Sequence, residues 1–372
     1  MTQTNYTYCE IKQQPATWLE SYKIVHARKK EISEFIHNYL DDGYSVVLTG
    51  AGTSAYIGDA LECAFLNTIF RGARSIATTD ILSNPNLYFD SKSRILLISF
   101  ARSGNSPESV GAVKIIEKTA GKVAHIFITC NAEGELAKMK GSNILTILLP
   151  PETNDKSLAM TSSYSSMLLT CSMISHIDTI EEDFSLVETV AKAVEKAMNR
   201  YEGDIKEIAG RDFKRAVFLG SGPLKGVAEE SRLKLQELTD GAVMCAFDSF
   251  LGFRHGPKAV VNEDTLLVYL LSPNPAVRRY EMDLVNQIRK SNKVKGAVAV
   301  YMKESAQSPA AWDLSVELDI PASMPSRYGA VAYVFVAQML GLFKSMDLGL
   351  NPDTPSVSGN ISRVVEGVTV YQ

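Results

Sequence analysis

Residues 45–61 read SVVLTGAGTSAYIGDAL, and their pattern is typical of one repeating unit of an α/β protein. The run 45–50 is short, apolar and rich in β-branched residues, as buried parallel strands are. It ends in a Gly-x-Gly turn at Gly50 and Gly52, and apolar residues at helical spacing follow directly. We therefore predict a strand, a tight turn and a helix here.

Strand-like runs recur on both sides of this unit. Residues 94–99, 123–129 and 143–149 alternate with helical segments, and the rhythm restarts at 215–231, RAVFLGSGPLKGVAEES. Runs at 265–271, 294–301 and 314–320 complete a second set. The predicted fold class is α/β, with two tandem domains, each a parallel sheet flanked by helices in a flavodoxin-like three-layer sandwich.

The boundaries follow from the same pattern. We expect an N-terminal helical segment in residues 1–44, a first domain in 45–200, a second in 201–345, and a tail in 346–372 that closes the active site. Trp18–Leu40 has the spacing of one long amphipathic helix. The longest apolar run, 329–343, is too short to cross a membrane and favours a buried core helix.

Composition limits the partners. The 372 residues carry a net charge of −4, which gives no reason to expect nucleic acid or a membrane as partner. The five cysteines are scattered without a CxxC pair, so neither a disulfide framework nor a structural zinc site is indicated. No secretory signal is visible. We expect a cytoplasmic protein that needs neither a metal nor a redox cofactor.

Three hydroxyl-rich loops are expected at the carboxyl edge of the first sheet. They contain Gly50-Ala51-Gly52-Thr53-Ser54, Ala101-Arg102-Ser103-Gly104-Asn105-Ser106, and residues 158–166. Hydroxyls and backbone N–H groups at helix starts suit a phosphate monoester. The alternative is that these serines only cap helices, as Ser106 would before Pro107.

A dinucleotide site is the competing interpretation of the first loop. Gly50, Gly52 and Ala55 satisfy the GxGxxG/A pattern after a strand, but no acidic residue stands where the second strand should end. GxxxxGK[ST] does not occur in the sequence, which argues against a P-loop.

The ionisable candidates lie in the second half. Glu230, Lys234 and Glu237 fall on one face of a predicted helix, a pattern that is ordinarily a solvated, salt-bridged surface. His255 lies in a loop, where a structural hydrogen bond is the common role of a histidine. A carboxylate and a histidine beside a phosphate site would nevertheless suffice for aldose–ketose chemistry.

With these motifs in order, the chain resembles the double sugar isomerase (SIS) domain family, including the isomerase half of glucosamine-6-phosphate synthase. It is similar to the bacterial galactosamine-6-phosphate deaminase/isomerases of the tagatose-6-phosphate ketose/aldose isomerase type. The matching motifs are GAGTSAYIGDAL, ISFARSGNSPESV, LAMTSSYSSM, EESRLKLQEL, DSFLGFRHGPK and NPDTPS…RVVEGVTVY.

The resemblance implies roles for named residues. The substrate phosphate would be bound by Thr53, Ser54, Ser103, Gly104 and Ser106, with Thr161 and Ser162 in a further substrate loop. Glu237 would transfer the proton, Glu230 and Lys234 would accompany it, and His255 would open the sugar ring from a neighbouring subunit. Ala101 replaces a serine found in many relatives, and the adjacent Arg102 is expected to replace the lost contact with a cationic one.

The expected activity is conversion of galactosamine 6-phosphate to tagatose 6-phosphate and ammonia, with a homodimer or dimer of dimers sharing active sites. No glutaminase segment precedes Tyr44, which favours the deaminating direction. Two alternatives remain: an aldose–ketose isomerase acting on a phosphosugar without the amino group, and a non-catalytic sugar-phosphate sensor. A sensor would ordinarily carry a basic DNA-binding helix, which the first forty residues do not suggest.

Overall fold

The computed structural model describes residues 5–291, 293–303, 312–365 and 367–371. The chain divides into two compact units. One consists of Met1–Pro15, Lys156–Ala159 and Glu188–Ile361, and the other of Ala16–Asp155, Met160–Val187 and Ser362–Gln372. Each unit holds one sheet, so we call the Ala16–Asp155 unit the first-sheet unit and the Glu188–Ile361 unit the second-sheet unit.

The strands are β1 (Ser45–Thr49), β2 (Arg74–Ser75), β3 (Arg94–Ala101), β4 (Lys122–Thr129), β5 (Ile144–Leu148), β6 (Arg215–Gly220), β7 (Met244–Asp248), β8 (Thr265–Leu270), β9 (Gly296–Met302) and β10 (Leu314–Leu318). The helices are α1 (Tyr6–Lys12), α2 (Gln14–Ala27), α3 (Lys29–Leu40), α4 (Thr53–Leu61), α5 (Thr78–Ser83), α6 (Pro85–Tyr88), α7 (Pro107–Thr119), α8 (Glu135–Lys138), α9 (Ser162–Ile174), α10 (Ile180–Ala209), α11 (Pro223–Leu238), α12 (Phe250–Phe253), α13 (Pro275–Ser291), α14 (Ser326–Gly329) and α15 (Val334–Asp347).

Both sheets are parallel and have the same topology. The strand order is β2-β1-β3-β4-β5 in the first and β10-β9-β8-β6-β7 in the second. β1 and β3 are neighbours in register, with Val47 opposite Leu97, and both are almost entirely buried. Because neighbouring parallel strands end at the same edge, the loops that follow β1 and β3 meet there. The predicted strands and fold class are confirmed.

Two strands were not predicted from the sequence, and both lie at sheet edges. β2 has only two residues, too few to produce a periodic signal. β7 is half-exposed along its length, and Met244 at its start is 65% exposed. Edge strands of this kind do not carry the apolar run by which buried parallel strands are recognised.

The prediction of one helix over Trp18–Leu40 is wrong. The chain forms α2 and α3 with a break at Arg28, whose φ of −104° and ψ of 13° leave the helical region. The Arg28 guanidinium donates to the Thr146 carbonyl oxygen at 2.7 Å and pairs with Glu31 at 2.8 Å. These tertiary contacts anchor the break, and apolar spacing does not reveal them.

The apolar run 329–343 is a core segment, as predicted. Ser326–Asp347 is long and apolar enough to span a membrane, but 94% of its apolar 18-residue stretch is buried within the protein. Gly341 of α15 lies against α11, where a Cβ atom would be 2.8 Å from Leu238 Cδ1 and 3.1 Å from the Lys234 carbonyl oxygen. The missing side chain therefore lets α15 pack close to α11.

Candidate active site

The loop after β3 has a fixed shape. Gly104 has a φ of 64°, which favours glycine, and its carbonyl oxygen accepts a hydrogen bond from the Leu136 amide at 3.1 Å. Asn131 Nδ2 donates to the Ser103 carbonyl oxygen at 2.9 Å. The loop is thus held from its outer side by the segment that follows β4.

Ser106 caps α7, with Pro107 at the first helical position, as the sequence indicates. Its Oγ accepts from the Ser109 amide at 3.4 Å and donates to Ser109 Oγ at 2.6 Å. The predicted cap is therefore present. Ser106 also lines a cavity, so capping and ligand binding are compatible at this residue.

A cavity of about 120 Å³ lies at this edge within the first-sheet unit. Four predicted phosphate ligands line it: Ser54, Arg102, Ser103 and Ser106. The described residues that line it do not include Thr53 or Gly104, which belong to the same loops. Glu108, Ser109 and Arg363 also line it and were not predicted from the sequence.

The C-terminal segment forms one wall of this cavity. Arg102 is 6% exposed, and its NH2 group donates to the Arg363 carbonyl oxygen at 2.5 Å. Arg363 in turn donates from Nε to the Asp155 carbonyl oxygen at 2.9 Å and from NH2 to Asn154 Oδ1 at 2.9 Å. The contact of Arg102 with Arg363 joins residues 261 positions apart, so no local pattern announces it.

Thr161 and Ser162 are buried against a carboxylate. The Thr161 amide donates to Asp155 Oδ2 at 2.8 Å, and Ser162 Oγ donates to Asp155 Oδ1 at 2.5 Å. Asp155 thus satisfies the first amides of α9, while the adjacent Met160 lines the cavity. Substrate contact by Thr161 and Ser162 stays a prediction.

In the second-sheet unit, α11 brings three predicted residues together. Lys234 Nζ lies 2.8 Å from Glu237 Oε2 and 3.3 Å from Glu230 Oε1. The Lys234 and Glu230 side chains are fully buried, whereas that of Glu237 is 21% exposed. The stripe is therefore a buried ionic cluster with one accessible carboxylate, unlike the solvated face that such spacing ordinarily indicates.

His255 lies in an exposed turn after α12, as predicted. Its amide donates to the Gly252 carbonyl oxygen at 2.9 Å, which fixes the backbone of the turn. The exposed position leaves the imidazole accessible to another molecule. Among the described residues, no group of three or more His, Cys, Asp or Glu side chains is placed to hold a metal ion.

Comparison with known proteins identifies the class. The SIS domain model matches residues 39–177 and 211–342, and the chain belongs to the SIS domain family. The two sheets are thus two SIS domains.

Individual relatives match over nearly the whole chain. D-galactosamine-6-phosphate deaminase AgaS of Escherichia coli is 36% identical over 97% of this chain and 94% of that protein. The crystal structure of tagatose-6-phosphate ketose/aldose isomerase from Escherichia coli has a TM-score of 0.90 and 34% identity, over 99% of this chain and 96% of that chain. The C-terminal domain of glucosamine-fructose-6-phosphate aminotransferase from Francisella tularensis shares the fold, with a TM-score of 0.81, 16% identity, and coverage of 95% and 99%.

Proposed function

We propose that this protein converts galactosamine 6-phosphate and water to tagatose 6-phosphate and ammonia. The observation that carries the proposal is the similarity, over nearly the full length, to a protein named for this deaminase activity. A hydroxyl-lined cavity in the first-sheet unit and a buried carboxylate–lysine cluster in the second-sheet unit support it, because the reaction requires a phosphate site and a proton carrier.

The substrate phosphate is bound in the cavity by the hydroxyls of Ser54, Ser103 and Ser106 and by the Arg102 guanidinium. Hydroxyls of this kind, with amides at a helix start, supply the donors that phosphate oxygens need. Thr53, Gly104, Thr161 and Ser162 complete the loops around the substrate.

The proton transfer uses the accessible carboxylate of α11. After His255 assists ring opening, Glu237 removes the C2 proton of the open-chain sugar; the C2–H electron pair forms a C1=C2 double bond, and the C1 carbonyl oxygen takes up the displaced pair and a proton from water to give an aminoenol. Return of the proton from Glu237 to C1 leaves an iminium at C2, which water hydrolyses to the ketose and ammonium. Lys234 and Glu230 position the Glu237 carboxylate, since Lys234 Nζ contacts both carboxylates.

His255 acts on the active site of a second copy of this chain, in a homodimer or dimer of dimers. Its exposed position supports this arrangement.

The five free cysteines suit a reducing, cytoplasmic location. The reaction as written needs no metal and no redox cofactor, and it involves neither nucleic acid nor membrane.

The decisive experiment is an ammonia-release assay with galactosamine 6-phosphate, glucosamine 6-phosphate and their N-acetylated forms in parallel. We expect turnover of galactosamine 6-phosphate, with ammonia and ketose formed in equal amounts. Activity on none of the four would refute the proposal.

A second candidate is isomerisation of a phosphosugar that lacks the amino group. The similarity to a structure named as a tagatose-6-phosphate ketose/aldose isomerase favours it. Two rates measured with the same enzyme preparation separate the two functions. Ketose formation from galactose 6-phosphate that is faster than ammonia release from galactosamine 6-phosphate would identify the plain isomerase.

A further inference from the structure

Glu108 places a carboxylate in the wall of the proposed phosphate cavity. It is the second residue of α7, and its side chain is half-buried. Its Oε2 atom is fully buried and has no hydrogen-bond partner among the described residues. Arg102, Ser109 and Arg363 line the same cavity.

A buried acceptor of this kind is costly unless something donates to it. Nearly all buried polar atoms in proteins have a partner, and an exception at a binding cavity is explained when the partner comes from the ligand. The helix dipole favours an acidic residue in the first turn, but that effect accounts for the charge of Glu108 and leaves Oε2 without a donor.

The phosphate itself is a poor partner for this carboxylate. An ionised carboxylate only accepts hydrogen bonds, and its charge repels that of a phosphate. The positive charges of Arg102 and Arg363 in the cavity wall offset part of this repulsion, but neither side chain donates a hydrogen bond to Glu108 Oε2. The donor must therefore come from the part of the ligand next to the phosphate.

We propose that Glu108 is a specificity-determining residue that accepts a hydrogen bond from the C5 hydroxyl of the open-chain sugar, on the carbon next to the phosphate-bearing C6. This inference rests on the proposed function of the cavity as the phosphosugar site. A site that pairs a buried acceptor with a substrate hydroxyl rejects ligands that lack the hydroxyl, because the acceptor then stays unpaired. Glu108 thus distinguishes a phosphosugar from other phosphate monoesters and from inorganic phosphate.

The test is calorimetric binding of four ligands that the proposed reaction cannot consume. The ligands are inorganic phosphate, n-propyl phosphate, sn-glycerol 1-phosphate and D-galactitol 6-phosphate, an open-chain sugar alcohol that has the C5 hydroxyl but neither the aldehyde nor the amino group. The wild-type protein should prefer glycerol phosphate to propyl phosphate. Glu108→Ala should remove that preference, weaken binding of galactitol 6-phosphate tenfold or more, and leave inorganic phosphate bound as tightly or several-fold more tightly.

Glu108→Gln, which keeps the shape of the side chain, guards against a folding defect. It should likewise strengthen binding of inorganic phosphate relative to galactitol 6-phosphate. Glu135→Ala is the matched control, since Glu135 begins α8 on the surface and pairs with Lys114 at 3.4 Å. It should change none of the four dissociation constants.

Two results would overturn the inference. One is an equal loss of affinity for all four ligands in both Glu108 variants, which would make Glu108 a support of the loop. The other is unchanged binding of galactitol 6-phosphate. Wild-type protein that binds galactitol 6-phosphate with the expected preferences but releases no ammonia from galactosamine 6-phosphate would refute the proposed function and leave this inference standing.

Discussion

The Gly50–Gly52 and Gly220–Gly222 turns have nearly the same backbone but different surroundings. Gly52 has φ 54° and ψ −127°, and Gly222 has φ 58° and ψ −129°. At Gly50 a Cβ atom would lie 2.5 Å from the Ser54 carbonyl carbon, and at Gly220 it would lie 2.1 Å from the Leu224 carbonyl oxygen. The fold therefore requires glycine at matching positions in both units.

The cavities beside the two turns differ in charge. The first-sheet cavity is lined by Arg102, Arg363 and Glu108 among hydroxyls. The second-sheet cavity, of about 270 Å³, has no charged side chain among the described residues that line it. There the ionisable groups lie below the surface, where buried Arg278 donates to the Ser272 carbonyl oxygen at 2.6 Å and Glu281 accepts from the Ser272 amide at 2.9 Å.

Burial raises the pKa of Glu281 and lowers that of Arg278. Arg278 and Glu281 hold the loop after β8 through the backbone of Ser272. The loop after β3 instead presents its side chains to a cavity. A duplicated strand–turn–helix unit thus lies beside the proposed phosphate cavity in one half of the chain. In the other half it positions a helix, α11, whose last turns carry Glu237, the proposed proton carrier.

The largest expected effect concerns that helix. Glu237→Gln should lower kcat by roughly 10²–10⁴-fold, because a positioned proton carrier contributes a factor of that size. Ammonia release at saturating substrate measures it. Glu229→Gln changes a partly exposed carboxylate on the same helix and should leave kcat near that of the wild type. Near-normal turnover in Glu237→Gln would mean that the second half does not supply the base.

Removing the buried cation tests whether the cluster in α11 is also structural. Lys234→Met leaves Glu230 buried without its countercharge and should lower the free energy of unfolding by about 3–5 kcal/mol. Urea unfolding followed by circular dichroism measures this. The double variant Lys234→Met/Glu230→Gln should recover much of the loss, and a double variant as unstable as the single one would contradict the electrostatic explanation.

The two turns themselves allow a matched experiment. Gly52→Ala and Gly222→Ala each force alanine into the same unfavourable backbone region, and both should cost of order 1–3 kcal/mol in stability. Nothing lies within 4 Å of the added methyl group at either site. Only Gly52→Ala should raise KM for the phosphosugar. A similar KM increase in Gly222→Ala would show that the second turn also contributes to substrate binding.

The smallest effect is a pH dependence specific to the first-sheet unit. Burial lowers the pKa of His125 on β4 below its usual value near 6.5, although Glu117 at 3.2 Å opposes the shift. The unfolded chain therefore binds a proton more readily, and stability falls as the pH drops below about 6.5. The slope is at most about 1.4 kcal/mol per pH unit.

His125→Phe, which can pack beside Phe127, is the control for that slope. Urea unfolding at pH 7 and pH 5.5 should show a smaller acid-induced loss in the variant than in the wild type. Equal losses in the two proteins would assign the acid sensitivity to other groups.

Local patterns predicted much of this molecule and missed contacts between distant segments. Buried strands such as β3 and the capping residue Ser106 are determined by neighbouring residues, so the sequence indicates them directly. The break at Arg28 depends on a carbonyl of an edge strand 118 positions away. The close packing of α15 on α11 depends on Gly341, which charge spacing on α11 alone does not reveal.

In the candidate site, too, the residues whose place follows from local sequence were predicted, and those placed by distant contacts were not. The hydroxyl loops were recognisable because each follows a predicted strand. Arg363 was not recognisable, because only folding brings it to its hydrogen-bond partners. Arg102 donates to its carbonyl oxygen, and its guanidinium donates to the Asp155 carbonyl oxygen and the Asn154 side-chain oxygen. Glu108 looked like an ordinary acidic residue at a helix start, and its buried oxygen became visible only with the cavity.

The C-terminal wall of the cavity has a consequence for the order in which the protein matures during translation. Arg363 is synthesised after every strand of both sheets, although its partners Arg102 and Asp155 emerge early. A nascent first-sheet unit therefore has its hydroxyl-rich loops long before Arg363 closes the cavity beside them. The pocket is completed only once the whole intervening second sheet has been made, so partly synthesised chains should bind phosphosugar weakly.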